Sequence, residues 1–300
     1  MLEVISLGDY YAPINDAEPP PALRDEVNAI CGERFRRIDR FIQLCLLGAA
    51  RCAQGNDLDN HTGLYIGSRF AAICNTIQVQ QQMFVQGQLP KPAQFINTLS
   101  NSAGYYVARN LNLQGKNIFV SRGNASLEAA LQLAQLDLES GQIKQALIGV
   151  VDEGVQPTVQ HCQRLGIAAT TPLGEGSHWF LVRLGANESR GKLGIRPRGN
   201  PGLATIHAVA TLADDSSLQE WLSHYALLHR RTFIYSNSLS KKLDDSLYSG
   251  LAAYNPHLDY YPANTGGALL RFIKQYTDAS LITLSTDDAG RTHVTYSQTA

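Results

Sequence analysis

The residues whose spacing could do most chemistry lie in Lys116–Leu131, Lys-Asn-Ile-Phe-Val-Ser-Arg-Gly-Asn-Ala-Ser-Leu-Glu-Ala-Ala-Leu. The run Ile118-Phe119-Val120 reads as a short buried strand, Gly123 as an elbow, and Ser126 as the opening of a helix. A strand–elbow–helix joint presents a side chain at a helix N-terminus, where developing negative charge is stabilised. That suits the nucleophile of an acyl transfer. The elbow residue is Asn124, whose amide forms hydrogen bonds but has no proton to transfer and no nucleophilic atom to offer. It could hold an acyl carbonyl or a partner's loop. It could equally serve only to tolerate a strained backbone, which Asn accepts better than most residues. Ser126 is the nearby hydroxyl. As a nucleophile it needs a base within hydrogen-bond reach; as a helix N-cap it needs nothing more.

Other groupings carry less chemistry. Asp152-Glu153 ends a strand-like run and could be an acid/base pair or a turn that accepts backbone hydrogen bonds. His161 and Cys162 are adjacent in sequence, which does not make a catalytic pair. His178 sits among strand residues and lines a sheet face. Gly174, Gly176, Gly266 and Gly267 lack the lysine and spacing of a phosphate loop and read as close-packing positions. The five cysteines include no CxxC pair and read as reduced core thiols, Cys45 and Cys52 on one buried helix face. No metal or cofactor is expected.

The elements that must position these residues alternate strand and helix, the pattern of α/β layers. Expected are a strand at 2–7, helices at 36–54, 69–86 and 126–140, a Gly- and Pro-rich connection at 190–202, a strand at 203–212, a helix at 218–230, a strand at 232–237, a helix at 265–276 and a hairpin of 280–286 with 291–297. The helix at 69–86 has a polar surface without charge after Arg69, and i, i+3, i+7 spacing puts Cys74, Ile77 and Gln81 on one face. Hydrophobic residues make up 44% of the 300, and charged residues 17%, which sets a substantial core. A net charge of −1 without a basic stripe gives no footprint for nucleic acid or an anionic membrane. No stretch reaches the ~18 apolar residues of a membrane helix, and the N-terminus does not read as a signal peptide. A cytoplasmic protein is expected.

Several blocks, in order, resemble β-ketoacyl synthases of the thiolase-like fold. They are Phe35-Arg-Arg-Ile-Asp-Arg-Phe41, Thr62-Gly-Leu-Tyr-Ile-Gly-Ser68, Pro92-Ala-Gln-Phe-Ile-Asn97, the elbow segment, Ala146-Leu-Ile-Gly-Val-Val-Asp-Glu153 and Gly174-Glu-Gly-Ser-His-Trp-Phe-Leu-Val-Arg183. Phe233-Ile-Tyr-Ser-Asn-Ser-Leu239 and Pro262-Ala-Asn-Thr-Gly-Gly-Ala-Leu269 resemble the places of the family's two histidines. The resemblance implies a layered αβαβα fold of two related halves, 1–185 and a shortened 186–300, in one compact unit. It also implies three degenerate catalytic positions: Asn124 for the cysteine, Asn237 and Ala263 for the histidines. No repeat is visible in the letters.

Chain-length factors are similar in lacking the cysteine, and the resemblance implies their role: a non-catalytic subunit that pairs with an active ketosynthase. Such a heterodimer meets acyl carrier protein indirectly and serves polyketide, polyene or aryl-polyene synthesis. It implies edge pairing through Asn117, Ile118, Phe119, Val120 and Ser121, and a chain-length wall of Cys74, Ile77 and Gln81 backed by Tyr105 and Tyr106. The alternatives are an acyltransferase or thioester hydrolase using Ser126, and a purely structural homodimer.

Overall fold

The computed structural model describes residues 1–185, 202–226, 228–229, 231–237 and 251–300. Its backbone is one continuous ten-stranded sheet among those residues, in the order β3-β2-β4-β5-β1-β6-β10-β9-β7-β8. The strands are β1 (Leu2–Ile14), β2 (Gly63–Gly67), β3 (Asn117–Val120), β4 (Gln145–Asp152), β5 (Leu173–Leu184), β6 (Ala204–Leu212), β7 (Thr232–Ser236), β8 (Ala252–Ala253), β9 (Ser280–Thr286) and β10 (Thr292–Thr299). β1 is twice as long as the sequence suggests, because its whole length pairs with β5 from Leu2↔Leu184 to Ile14↔Leu173. That pairing carries polar positions such as Ser6 and Asp9 along with it.

The sheet is a duplication. Within the first five strands the order is third, second, fourth, fifth, first, and the last five repeat it from the other end. The directions repeat as well. β2 is parallel to β3 and β4, and β4 and β5 then run antiparallel. In the second half β7 is parallel to β8 and β9, and β9 and β10 then run antiparallel. β1 and β6 join the halves through Leu2↔Ile206, Glu3↔Thr205 and Val4↔Ala204.

Alternation along the strands builds the layers, because successive side chains leave opposite faces. Leu147 and Val151 of β4 enter an outer core with Leu44 and Leu47 of α2 (Arg40–Ala53), Val107 of α5 (Ser102–Asn110) and Val27 of α1 (Arg24–Ile30). Ile148 and Val150 enter the central core with Leu127 and Leu131 of α6 (Ser126–Glu139) and Leu269 and Phe272 of α9 (Asn264–Gln275). In the second half Leu281 faces that central core, whereas Ile282 and Leu284 face Leu218 and Leu222 of α8 (Asp215–Tyr225). The result is α–β–α–β–α, the thiolase-like layering, with α6 and α9 as the shared middle. Each fully buried leucine in it is worth roughly 1.5–3 kcal/mol. α2 lies close on the sheet because a Cβ on its Gly48 would come within 2.4 Å of Trp179.

Several expected helices are shorter. α2 begins at Arg40, where the Asp39 carboxylate accepts the Ile42 N–H. α8 begins at Asp215, where Asp214 accepts from Ser217. Residues 69–86 do not form one helix. α3 covers Ile73–Gln80 and continues as a wider π turn at Gln81–Val85. Residues 68–72 are instead a loop tied down by Asp152. Helices α4 (Pro92–Asn97) and α7 (Thr158–Leu165) complete the described set. Most of the expected connection at 190–202 falls outside the described residues. No described helix is long and apolar enough to cross a membrane.

Candidate functional site

The elbow between β3 and α6 turns at Gly123, whose φ of +58° is left-handed. A residue with a side chain would be strained there, and its Cβ would lie 3.1 Å from the Asp288 carboxylate. The strained residue is therefore Gly123 and not Asn124. Ser126 is the first residue of α6 and not its cap. Its buried Oγ accepts the Arg122 N–H at 2.9 Å and donates to the Gly123 carbonyl at 2.8 Å. The hydroxyl is spent on tightening the elbow, and neither partner is a base.

Asn124 is held at both ends of its amide. Its oxygen accepts from Arg69 Nη1 at 3.1 Å, and its nitrogen donates to the Tyr260 hydroxyl at 3.1 Å. Arg69 also pairs with Asp288 at 2.9 Å, so the tip of the β9–β10 hairpin closes over the elbow. On the other side, Asp152 accepts from Ser68 Oγ at 2.8 Å and from the Arg69 N–H at 2.9 Å. Glu153 accepts the Cys74 N–H at 2.9 Å. Asp152-Glu153 is thus a turn clasp, as one sequence reading has it. Burial pushes the Asp152 carboxyl up to about 7. Burial, and then the charge of Asp39, push Glu153 up to about 8.

Tyr260 connects the elbow to an open cavity of about 270 Å³ between the end of β7 and the start of α9, lined by Asn237, Asn264, Tyr235, Tyr260, Asp259 and four further residues. Asn237 is buried; its Nδ2 donates to the Pro262 carbonyl at 3.1 Å. Ala263 packs into the central core, and the next residue, Asn264, is the one that reaches the cavity. Sequence reasoning missed Asn264; the signal available was an asparagine two positions before the glycine pair of that turn. Among the described residues no histidine lines this cavity. His178 is locked between Asp9 and the Tyr261 hydroxyl at 2.7 Å each. His161 packs edge-on against Phe70, while the Cys162 thiol turns to the Thr171 carbonyl, so the two make no pair.

The chain-length candidates divide into two groups. Cys74 lies over the clasp, its thiol toward the Gly154 carbonyl, and burial raises that thiol far above its ordinary range. Ile77 is half-buried and Gln81 is exposed. The Gln81 N–H still bonds the Ile77 carbonyl, so the face shared by Cys74 and Ile77 reaches Gln81, and the helix widens into the π turn only beyond it. Tyr106 packs on Phe35 and on Tyr105, and Tyr105 lies beside Arg109.

The interface candidates occupy a free edge. β3 is the last strand on its side of the sheet and pairs only with β2. Ile118 and Val120 turn to the central core and Phe119 to the outer one, 6.4 Å from Phe41. Asn117 is exposed, and Ser121 donates to the Arg69 carbonyl at 2.9 Å. In the same part of the chain a run of large apolar side chains is exposed: Phe84 and Val85 at 80% each, Leu89 at 89%, and Phe95, Ile96 and Leu99 at above half.

The β-ketoacyl synthase, N-terminal domain family matches residues 20–177, and the chain belongs to it. No curated protein matches the sequence. Solved structures similar to it include the ishigamide ketosynthase/chain length factor, at 14% identity and a TM-score of 0.76, with 99% of each chain covered. A type II polyketide synthase acyl-carrier protein in complex with its ketosynthase bound to the hexaketide gives 12% and 0.68, covering 100% of this chain and 99% of that one. A ketosynthase in complex with its chain length factor from Xenorhabdus doucetiae gives 13% and 0.56, with 99% of each covered. At these identities the likeness is one of fold.

Proposed function

We propose that this chain is a non-catalytic, chain-length-factor-like subunit that pairs with an active ketosynthase and shapes the pocket in which an acyl chain grows. The product class would be a polyketide, polyene or aryl polyene, delivered on an acyl carrier protein. The observation that carries the reading is the Asn124 amide, fixed at the elbow by Arg69 and Tyr260. An elbow that would otherwise stabilise a nucleophile is closed by a neutral amide held between a guanidinium and a phenol. Among the described residues the cavity beyond it offers asparagines and tyrosines but no histidine.

Pairing is supported by the free edge of β3. An unpaired apolar edge invites another chain, and the exposed apolar run at Phe84–Leu99 needs a cover. An obligate pair of this kind buries roughly 2,000 Å² or more. The test is co-expression with a cysteine-bearing ketosynthase from the same gene neighbourhood, followed by size-exclusion chromatography. A 1:1 complex is expected. The chain alone, exposed to acyl-carrier thioester and measured by mass spectrometry, should gain no acyl mass. Acylation within residues 121–128, or a stable monomer with no affinity for the ketosynthase, would overturn the reading.

A further inference from the structure

The cavity beside Tyr260 is lined by two side chains with unfinished hydrogen bonding. Asn237 and Asn264 are only 2% and 4% exposed. The side-chain oxygen of each is buried without a hydrogen-bond partner, yet both residues line the cavity. For Asn237 the orientation is fixed: its Nδ2 donates to the Pro262 carbonyl at 3.1 Å, so turning the amide over would lose that bond. Buried carbonyl oxygens left in this state are costly and call for a donor.

The remaining lining says which donor. Asp259 brings a carboxylate, and among the described residues no lysine, arginine or histidine lines the cavity. The Asp259 carboxylate is anchored by the Tyr11 hydroxyl at 2.8 Å. Tyr235 and Tyr260 add aromatic rings, and Leu258 and Pro172 apolar surface. Two carbonyl oxygens, one negative charge and two aromatic rings form a set complementary to an ammonium group on a short hydrocarbon body. An ammonium has three N–H donors and no acceptor, bonds more strongly to such oxygens than a neutral donor does, and is attracted to aromatic faces. A cavity of about 270 Å³ admits a small molecule and not a long chain.

We propose that this cavity is a binding site for a small primary amine in its ammonium form, held by the side-chain oxygens of Asn237 and Asn264 with Asp259 as counter-charge. The inference does not depend on pairing with a ketosynthase, so it can fail or stand separately from the proposed function.

The experiment titrates the full chain, alone and in complex with its ketosynthase if that complex forms, with n-butylamine at neutral pH and with n-butanol as the neutral isostere. Binding is read by calorimetry and by ligand-observed NMR. n-Butylamine should bind saturably and at least about tenfold more tightly than n-butanol, as one charge-assisted contact implies. Asp259→Asn should remove that preference while leaving butanol binding unchanged. Asn237→Leu and Asn264→Leu should each weaken the amine by about tenfold. The milder Asn264→Ala, with its melting temperature checked, covers a leucine variant that fails to fold. Equal binding of amine and alcohol, undiminished amine binding in the asparagine variants, or no saturable binding of either probe would each overturn the proposal.

Discussion

Arg69 and Asn124 meet at 3.1 Å, guanidinium to amide oxygen, across fifty-five residues of sequence. The contact joins the loop after β2 to the elbow after β3. Under the proposed function it is also what keeps the elbow inert. The amide that stands where a nucleophile belongs is engaged by Arg69 on one side and by Tyr260 on the other.

Asn124→Cys should therefore gain no condensing activity. A thiol there would have Arg69 near it, but among the described residues no histidine lines the adjoining cavity to handle the proton or polarise a carbonyl. The substitution also removes the acceptor for Arg69 and the donor to Tyr260, which should lower stability by about 1–3 kcal/mol. Denaturant unfolding and a condensation assay with acyl-carrier thioesters measure the two effects. Turnover in this variant, as the isolated chain, would mean that the remaining side chains do more than the geometry allows.

Glu153 and Asp152 set a pH dependence of folding. Burial raises them to about 8 and about 7. Each holds its proton more tightly folded than unfolded, so unfolding releases protons. Their contribution is complete below the ordinary carboxylate range and is lost as pH rises through about 7 and 8. Glu153→Gln keeps an oxygen for the Cys74 N–H and cannot ionise. It should be more stable than the parent at pH 8, by roughly 2–4 kcal/mol, and nearly equal at about pH 4 and below. His161, lowered to about 4 by burial, acts in the opposite sense on the acid side and is the same in both proteins. Thermal unfolding of the two proteins across that range is the measurement, and parallel curves would refute the assignment.

The elbow, the hairpin and the α/β layering were legible because each has a local signature: a glycine between an apolar run and a helix, an Asp-Asp-Ala-Gly turn, strands alternating with helices. The αβαβα order and the duplication came from the family resemblance, and the duplication has no mark in the letters. Ile118-Phe119-Val120 of β3 and Ala252-Ala253 of β8 hold equivalent places in the sheet with no letters in common, because the place is fixed by pairing partners and crossover direction. Asn264 was missed by one position. Neighbours on a helix point about 100° apart, so that single step separates the core from the cavity. The π turn after Gln80 leaves no mark in a run of glutamines.

Phe84 and Val85, each 80% exposed on that turn, should matter to pairing and not to folding. Phe84→Glu with Val85→Glu should change the stability of the isolated chain by no more than about 0.5 kcal/mol. The same change should weaken a ketosynthase complex by about a hundredfold or more, as expected if two charges are buried in an apolar contact. Analytical ultracentrifugation of mixtures at several concentrations reads the second effect. A complex of unchanged affinity would place the partner elsewhere, and the free edge of β3 would then be the surface to probe.

Ile77 tests whether α3 limits the product. It is half-buried, one turn beyond Cys74, on a helix whose visible surface carries no charge after Arg69. Such a surface can lie beside an acyl chain without desolvating an ion. If it forms the end wall of a partner's tunnel, Ile77→Ala should open space and shift products toward longer chains, and Ile77→Trp should shift them toward shorter ones. One or two condensation units is the scale expected, since the volume changed is that of a few methylenes. Gln81, exposed and one turn beyond Ile77, should have a smaller effect under the same substitutions. The assay is product profiling by mass spectrometry from the reconstituted pair at matched heterodimer content. If both Ile77 variants pair normally and leave the length distribution unmoved, α3 is not the wall, and the chain's contribution reduces to holding its catalytic partner in an active form.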